Sequence, residues 1–182
     1  MPNPRNDITV ITDDGVASCI LDILRNAKEG VSLISPYLNM RGHLKDQIMS
    51  ALDRGIELRV LIRPADQKHF QRQEEQDIGW LIENGALVYL AEWLHAKIYL
   101  NEEYGVVSSM NLTEVSPKNS KDIALVIHDE EVLHPIREYS YRLFKSAILL
   151  THQSGETHYY QPKNWTEPHP TDNKSLFGED ED

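Results

Sequence analysis

The sequence predicts an α/β domain: a mixed, mostly parallel β-sheet flanked by helices on both faces, followed by a C-terminal tail. Three observations carry this. Short β-branched runs alternate with segments of helical period, the pattern of βαβ units. Glycine or proline closes most of the segments. After Thr151 the alternation stops, so residues 1–151 form the domain and residues 152–182 the tail.

"DITVIT" alternates and is β-branched, and reads as the first strand. "DDGVASCILDILRNAKEG" has acids at its start and apolar residues at helical spacing, so it reads as a helix ending at Gly30. "VSLISPYL" is an apolar strand interrupted by Pro36. A second helix over "MRGHLKDQIMSALDRG" stops at Gly55, and "IELRVLIRP" is a strand stopped by Pro64. "DQKHFQRQEEQDIGWLIENG" predicts a third helix ending at Gly85, and "ALVYLAE" a strand. "HAKIYLN" and "YGVVSS" read as consecutive strands around a turn at "NEE". "DIALVIHD" is a further strand, and "EEVLHPIREYSYRLFKSAILL" a long amphipathic helix.

The 182 residues suffice for one domain with a sizeable core. A single cysteine, Cys19, rules out an internal disulfide framework and fits a reducing compartment. It lies in the first helical pattern as a small buried residue. The polar start "MPNPRND" is unlike a secretion signal, and no apolar run approaches bilayer length. The expectation is a cytoplasmic protein with no membrane partner. The net charge of −11 argues against a strong sequence-independent grip on nucleic acid. A few cations at one cleft can still dominate the field there.

The stretch "LHAKIYLNEEYGVVSSMNLTEVS", residues 94–116, carries the chemistry. In a strand, residues two apart share a face. His95, Lys97 and Tyr99 then point one way, and Ala96, Ile98 and Leu100 the other, into the core. The next strand delivers Ser109 and Asn111 to the same sheet end. A nucleophile or base, a fixed cation and two hydrogen-bonding side chains suit a phosphodiester. Lys97 and Asn111 would hold the non-bridging oxygens as charge builds on them. His95 could attack phosphorus and form a phosphohistidine. A bare His-x-Lys is nearly uninformative and fits an exposed edge strand equally well; the spacing to Glu102, Ser109 and Asn111 gives it weight.

Here the chain resembles the phospholipase D superfamily, whose signature is His-x-Lys, four residues, an Asp, and then a Gly-Ser-x-Asn turn. The matching residues are His95, Lys97, Glu102, Ser108, Ser109 and Asn111. The resemblance covers about residues 8–148. It implies a phospholipase D-like fold and a carboxylate supporting the histidine, which would be Asp122 in "NSKDIALVI". Such a carboxylate would fix the imidazole tautomer. Two positions depart from the pattern. Glu102 stands where the family has Asp, at a position expected to be structural. Ser108 stands where Gly is usual, which would be unfavourable if the backbone there required a positive φ.

The family's site uses two such motifs, one histidine attacking and the other protonating the leaving oxygen. This chain has one. His43 does have Lys45 two residues on, but "GHLKDQ" lies in a predicted helix, where such residues do not face together. A homodimer would supply the second half. The implied activity is a phosphodiesterase, a nuclease hydrolysing DNA or RNA. The alternatives are a non-catalytic module that binds nucleic acid or dimerises, and a lipid enzyme of the same chemistry. No zinc spacing, glycine-rich phosphate loop or two-metal carboxylate cluster is present, so the expected chemistry needs no metal or cofactor.

His134 on the last helix reads as packing, and His69 near Lys68 and Arg72 as a solvated helix start. In the tail, Ser175-Leu176-Phe177 precedes the acidic end Glu179–Asp182. It resembles the end of the short peptide by which bacterial replication and repair proteins engage the sliding clamp, and so implies a protein partner. A merely solubilising terminus, or an acidic mimic of a phosphate backbone, are the other readings.

Overall fold

The computed structural model describes residues 8–40, 42–64, 72–113 and 121–150. The start of the third predicted helix with His69, and the whole tail with its partner motif, lie outside the described residues. Among the described residues, eight strands form one sheet: β1 Ile8–Thr12, β2 Gly30–Ile34, β3 Glu57–Ile62, β4 Leu87–Leu90, β5 Ile98–Asn101, β6 Gly105–Ser108, β7 Ile123–Ile127 and β8 Ile148–Leu149. The helices are α1 Asp14–Asn26, α2 His43–Asp53, α3 Arg72–Glu83 and α4 Glu130–Ser146. The strand order is β1-β7-β6-β5-β2-β3-β4-β8.

The sheet is mixed, with helices on both faces. Its parallel part is confined to β2, β3 and β4. The other five pairings are antiparallel, more than the strand–helix alternation implies. Hairpin β5–β6 and the strands returning at each end of the sheet account for the difference.

One core layer packs α1, α2 and α3 against the sheet through residues such as Ile20, Leu24, Ile48, Leu81, Val31 and Tyr99. The other lies under α4 and contains Ile34, Leu61, Leu100, Leu133 and Phe144. α1 buries Val16, Ala17, Ile20, Leu21, Ile23 and Leu24, an apolar stripe at helical period. Gly55 and Gly85 adopt φ of 79° and 91°, the left-handed conformation that lets α2 and α3 end and turn into β3 and β4. Asp129 caps α4, accepting hydrogen bonds from Glu131 N at 2.9 Å and Val132 N at 3.4 Å.

Two boundaries differ from the sequence reading. α1 stops at Asn26, and Gly30 opens β2 instead of closing the helix. α4 stops at Ser146, and Ile148–Leu149 become an edge strand on β4. The apolar period of the helix runs through "AILL", so periodicity alone could not mark that exit.

Candidate active site

One end of the sheet gathers the site. β5 and β7 begin there, while β1, β2, β3, β4 and β6 finish there. The antiparallel hairpin β5–β6 brings the segment before Ile98 beside the segment after Val107, its register partner. His95 and Lys97 therefore meet Ser108, Ser109 and Asn111 at that end. β7 adds Asp122, one residue before its first residue, Ile123. Sequence reasoning put His95 and Lys97 inside a strand. They instead lie in the connection from β4, directly ahead of β5. Nor is their side of the sheet open further along: Tyr99 is fully buried under the first core layer.

Buried hydrogen bonds fix the turn. Ser108 N donates to Lys97 O at 3.1 Å, joining the two halves of the motif. Tyr99 Oη donates to Met110 O at 2.7 Å from inside the core. Leu112 N donates to Ser35 Oγ at 2.8 Å, and that hydroxyl donates to Tyr37 O at 2.8 Å. Burial keeps the Tyr99 hydroxyl protonated well above the usual phenol range. Ser35 and Tyr99 thus hold the Asn111 turn from two sides. Sequence reasoning missed both roles; the hydroxyl of Ser35 in an otherwise apolar strand end was the available signal.

Ser109 Oγ donates to Asp122 Oδ1 at 2.6 Å and accepts from Ile123 N at 3.1 Å. Ser108 Oγ donates to Ile123 O at 3.2 Å and accepts from Met110 N at 3.0 Å. Ser108 has no positive φ. Replacing the usual glycine therefore brings no backbone strain here, and the hydroxyl adds two bonds to the turn. Lys97 Nζ donates to His95 O at 3.0 Å, placing the ammonium over the His95 backbone. The His95 side chain is exposed, and that of Lys97 partly so. Asn111 Oδ1 is buried with no hydrogen-bond partner among the described residues.

Glu102 lies at the far end of β5 from this cluster. Its carboxylate accepts Lys28 N at 2.7 Å and Glu29 N at 3.4 Å, tying the hairpin turn to the α1–β2 connection. Arg137 of α4 supports the same turn, donating to Asn101 O at 2.9 Å and Glu102 O at 3.0 Å. Among the described residues, no group of three or more His, Cys, Asp or Glu is placed to hold a metal ion. No helix among them is long and apolar enough to cross a membrane.

The sheet order, the helix layers and the motif at one sheet end define a phospholipase D-like domain. A family model described as the cardiolipin synthase, PLD-like domain matches residues 20–143, and the chain belongs to that family. At the level of the family this is phosphodiester chemistry. Among solved structures it is similar to Nuc from Salmonella typhimurium, a phospholipase D family member. The TM-score is 0.67 at 13% identity, covering 80% of this chain and 99% of that one. NucT from Helicobacter pylori gives 0.66 at 16% identity, covering 78% and 98%. TrmBL2, an archaeal chromatin protein that binds DNA, gives 0.58 at 15% identity, covering 80% and 55%. These likenesses are of fold. No curated protein sequence matches the chain significantly.

Proposed function

We propose that this chain is a nuclease that hydrolyses phosphodiester bonds of DNA or RNA through a phosphohistidine on His95, without a metal, as a homodimer. The observation that carries this reading is the convergence of His95, Lys97, Ser109, Asn111 and Asp122 on one sheet end, built by the register of β5, β6 and β7. An imidazole nitrogen of His95 attacks phosphorus and the bond to the leaving oxygen breaks. The same histidine of a second copy protonates that oxygen, then removes a proton from the water that releases phosphate from His95. Lys97 and the Asn111 amide stabilise the negative non-bridging oxygens. Asp122 orients His95.

An exposed apolar strip supports the second copy. Ile8, Val10, Ile123 and Leu125 share one face of β1 and β7 by register and are 38–58% exposed. The strip begins next to Asp122, so a protomer covering it would sit beside the half-site that needs a partner. The DNA-binding relative TrmBL2 supports nucleic acid as a substrate class. The family's lipid-synthase name makes a lipid phosphodiester the competing substrate.

The test is cleavage of labelled single-stranded DNA, RNA and duplex DNA in EDTA by wild type and His95→Ala in parallel, with phospholipid vesicles as a fourth substrate. Cleavage of a nucleic acid by wild type alone is expected. Equal activity of His95→Ala, or turnover of lipid only, would overturn the reading.

A further inference from the structure

Trp93 sits two residues before His95, so their Cα atoms are within about 7 Å. It is 87% exposed, the most exposed large apolar side chain among the described residues. Its φ is 58°, a conformation that bulky residues rarely adopt. The other described tryptophan, Trp80, instead packs against the first core layer with Lys45 Nζ 4.5 Å from its ring centre.

The loop carrying Trp93 is pinned on both sides. Ala91 N donates to Ile62 O at 2.9 Å, Leu94 is buried in the core under α4, and Lys97 O accepts Ser108 N. To reach β5 from β4, the chain must cross the ends of β3 and β2, about 14 Å at ordinary strand spacing. Tyr37 and Arg63 leave the sheet at those two ends. Tyr37 is 47% exposed, and the Arg63 guanidinium lies 4.8 Å from its ring centre and bonds its hydroxyl. The sheet end that carries His95 therefore presents two aromatic rings and a cation. Glu92, next to Trp93, is also exposed.

We propose that Trp93, with Tyr37 and Arg63, is a stacking rim for an unpaired nucleobase, making this site selective for single-stranded nucleic acid. The inference rests on the phosphodiesterase reading for its placement: Lys97 holds the phosphate while the indole takes the base beside it. A base inside a duplex offers no free face to such a ring, whereas an unpaired base of any identity does.

The experiment uses the full-length His95→Ala protein, which leaves the strand uncleaved. Oligothymidylate should quench tryptophan fluorescence, and Trp93→Phe should remove that quench while keeping the affinity. Trp93→Ala should weaken oligothymidylate binding about ten- to hundredfold, the usual effect of losing one stacked base. Its affinity for a duplex of equal length should not change. Equal weakening for both substrates, or none, would overturn the proposal. So would dissociation of a dimer by Trp93→Ala in sedimentation, which would make Trp93 an interface residue. Quenching by anionic vesicles but not by oligothymidylate would assign the ring to a lipid surface, and the proposal would fall. If the oligonucleotide binds through Trp93 but wild type cleaves nothing, the nuclease reading fails and the stacking rim stands.

Discussion

Ser109 and Asp122 are joined by a 2.6 Å hydrogen bond that links the end of β6 to the start of β7. The same hydroxyl accepts Ile123 N, so Ser109 orders the carboxylate and the backbone behind it together. In the proposed mechanism Asp122 supports His95; an asparagine at 122 can still accept from Ser109 but carries no charge to stabilise an imidazolium. Asp122→Asn should therefore fold normally and lose at least about a hundredfold in kcat; charge loss behind a catalytic histidine costs up to about ten-thousandfold. A wild-type rate would restrict Asp122 to closing the sheet edge.

Lys97 is held by a bond to the His95 carbonyl and by no carboxylate among the described residues. Its charge is available to the substrate. Lys97→Met should preserve the thermal midpoint and reduce turnover about a hundred- to a thousandfold. A raised KM with unchanged kcat would show that Lys97 only binds.

The alternation of β-branched and helical segments made the α/β class legible, and the His95-to-Asn111 spacing singled out residues that the register of β5, β6 and β7 brings to one sheet end. The starting point of β5 was not legible. "HAKIYLN" alternates as a strand would, but hydrogen-bonded pairing begins only at Ile98, after the crossing from β4. That crossing depends on the strand order, a long-range property that no local pattern carries. Tyr99 shows the same limit. Period two placed it beside Lys97, but only packing under α1 and α2 turned it into an internal anchor for the Asn111 turn.

Cys19 is half-buried in α1, and its thiol pKa is pushed up to about 11 from 9.0 by burial first and by the charge of Asp22 second. The folded state therefore favours the protonated thiol. The stability this contributes is fully present below pH 9.0 and is lost as pH rises towards about 11. Urea unfolding across this window should show declining stability, with a smaller decline in Cys19→Ala. Native alkylation at pH 8 should be slower than alkylation in denaturant; equal rates would contradict the shift.

Glu102 departs from the family's aspartate but serves as a backbone clamp, accepting Lys28 N and Glu29 N at the end of β5 away from His95. Glu102→Ala should lower the unfolding free energy by about 1 kcal/mol, the net worth of an ordinary hydrogen bond. Arg137→Met removes a buried guanidinium from two carbonyls and should cost at least about 2 kcal/mol. Neither change should alter kcat per folded molecule. A selective loss of kcat in Glu102→Ala would move this residue from the frame into the chemistry.

One motif per chain makes the number of histidines at each phosphorus atom a question of assembly. If one His95 attacks and another protonates the leaving oxygen, a dimer containing one His95→Ala subunit lacks half the machinery. Subunits refolded together at nine mutant to one wild type would leave about 1% of dimers wholly wild type under random pairing. Independent protomers would instead retain about 10% of the activity, in proportion to wild-type chains. The mixture is expected to fall well below simple dilution. Replacing Val10 and Leu125, which face each other across β1 and β7, with lysine tests where the second copy binds. The double variant should sediment as a monomer, keep its circular dichroism, and lose activity that no excess of protein restores. An active monomer would show that one His95 suffices, and the two-histidine mechanism would have to be abandoned.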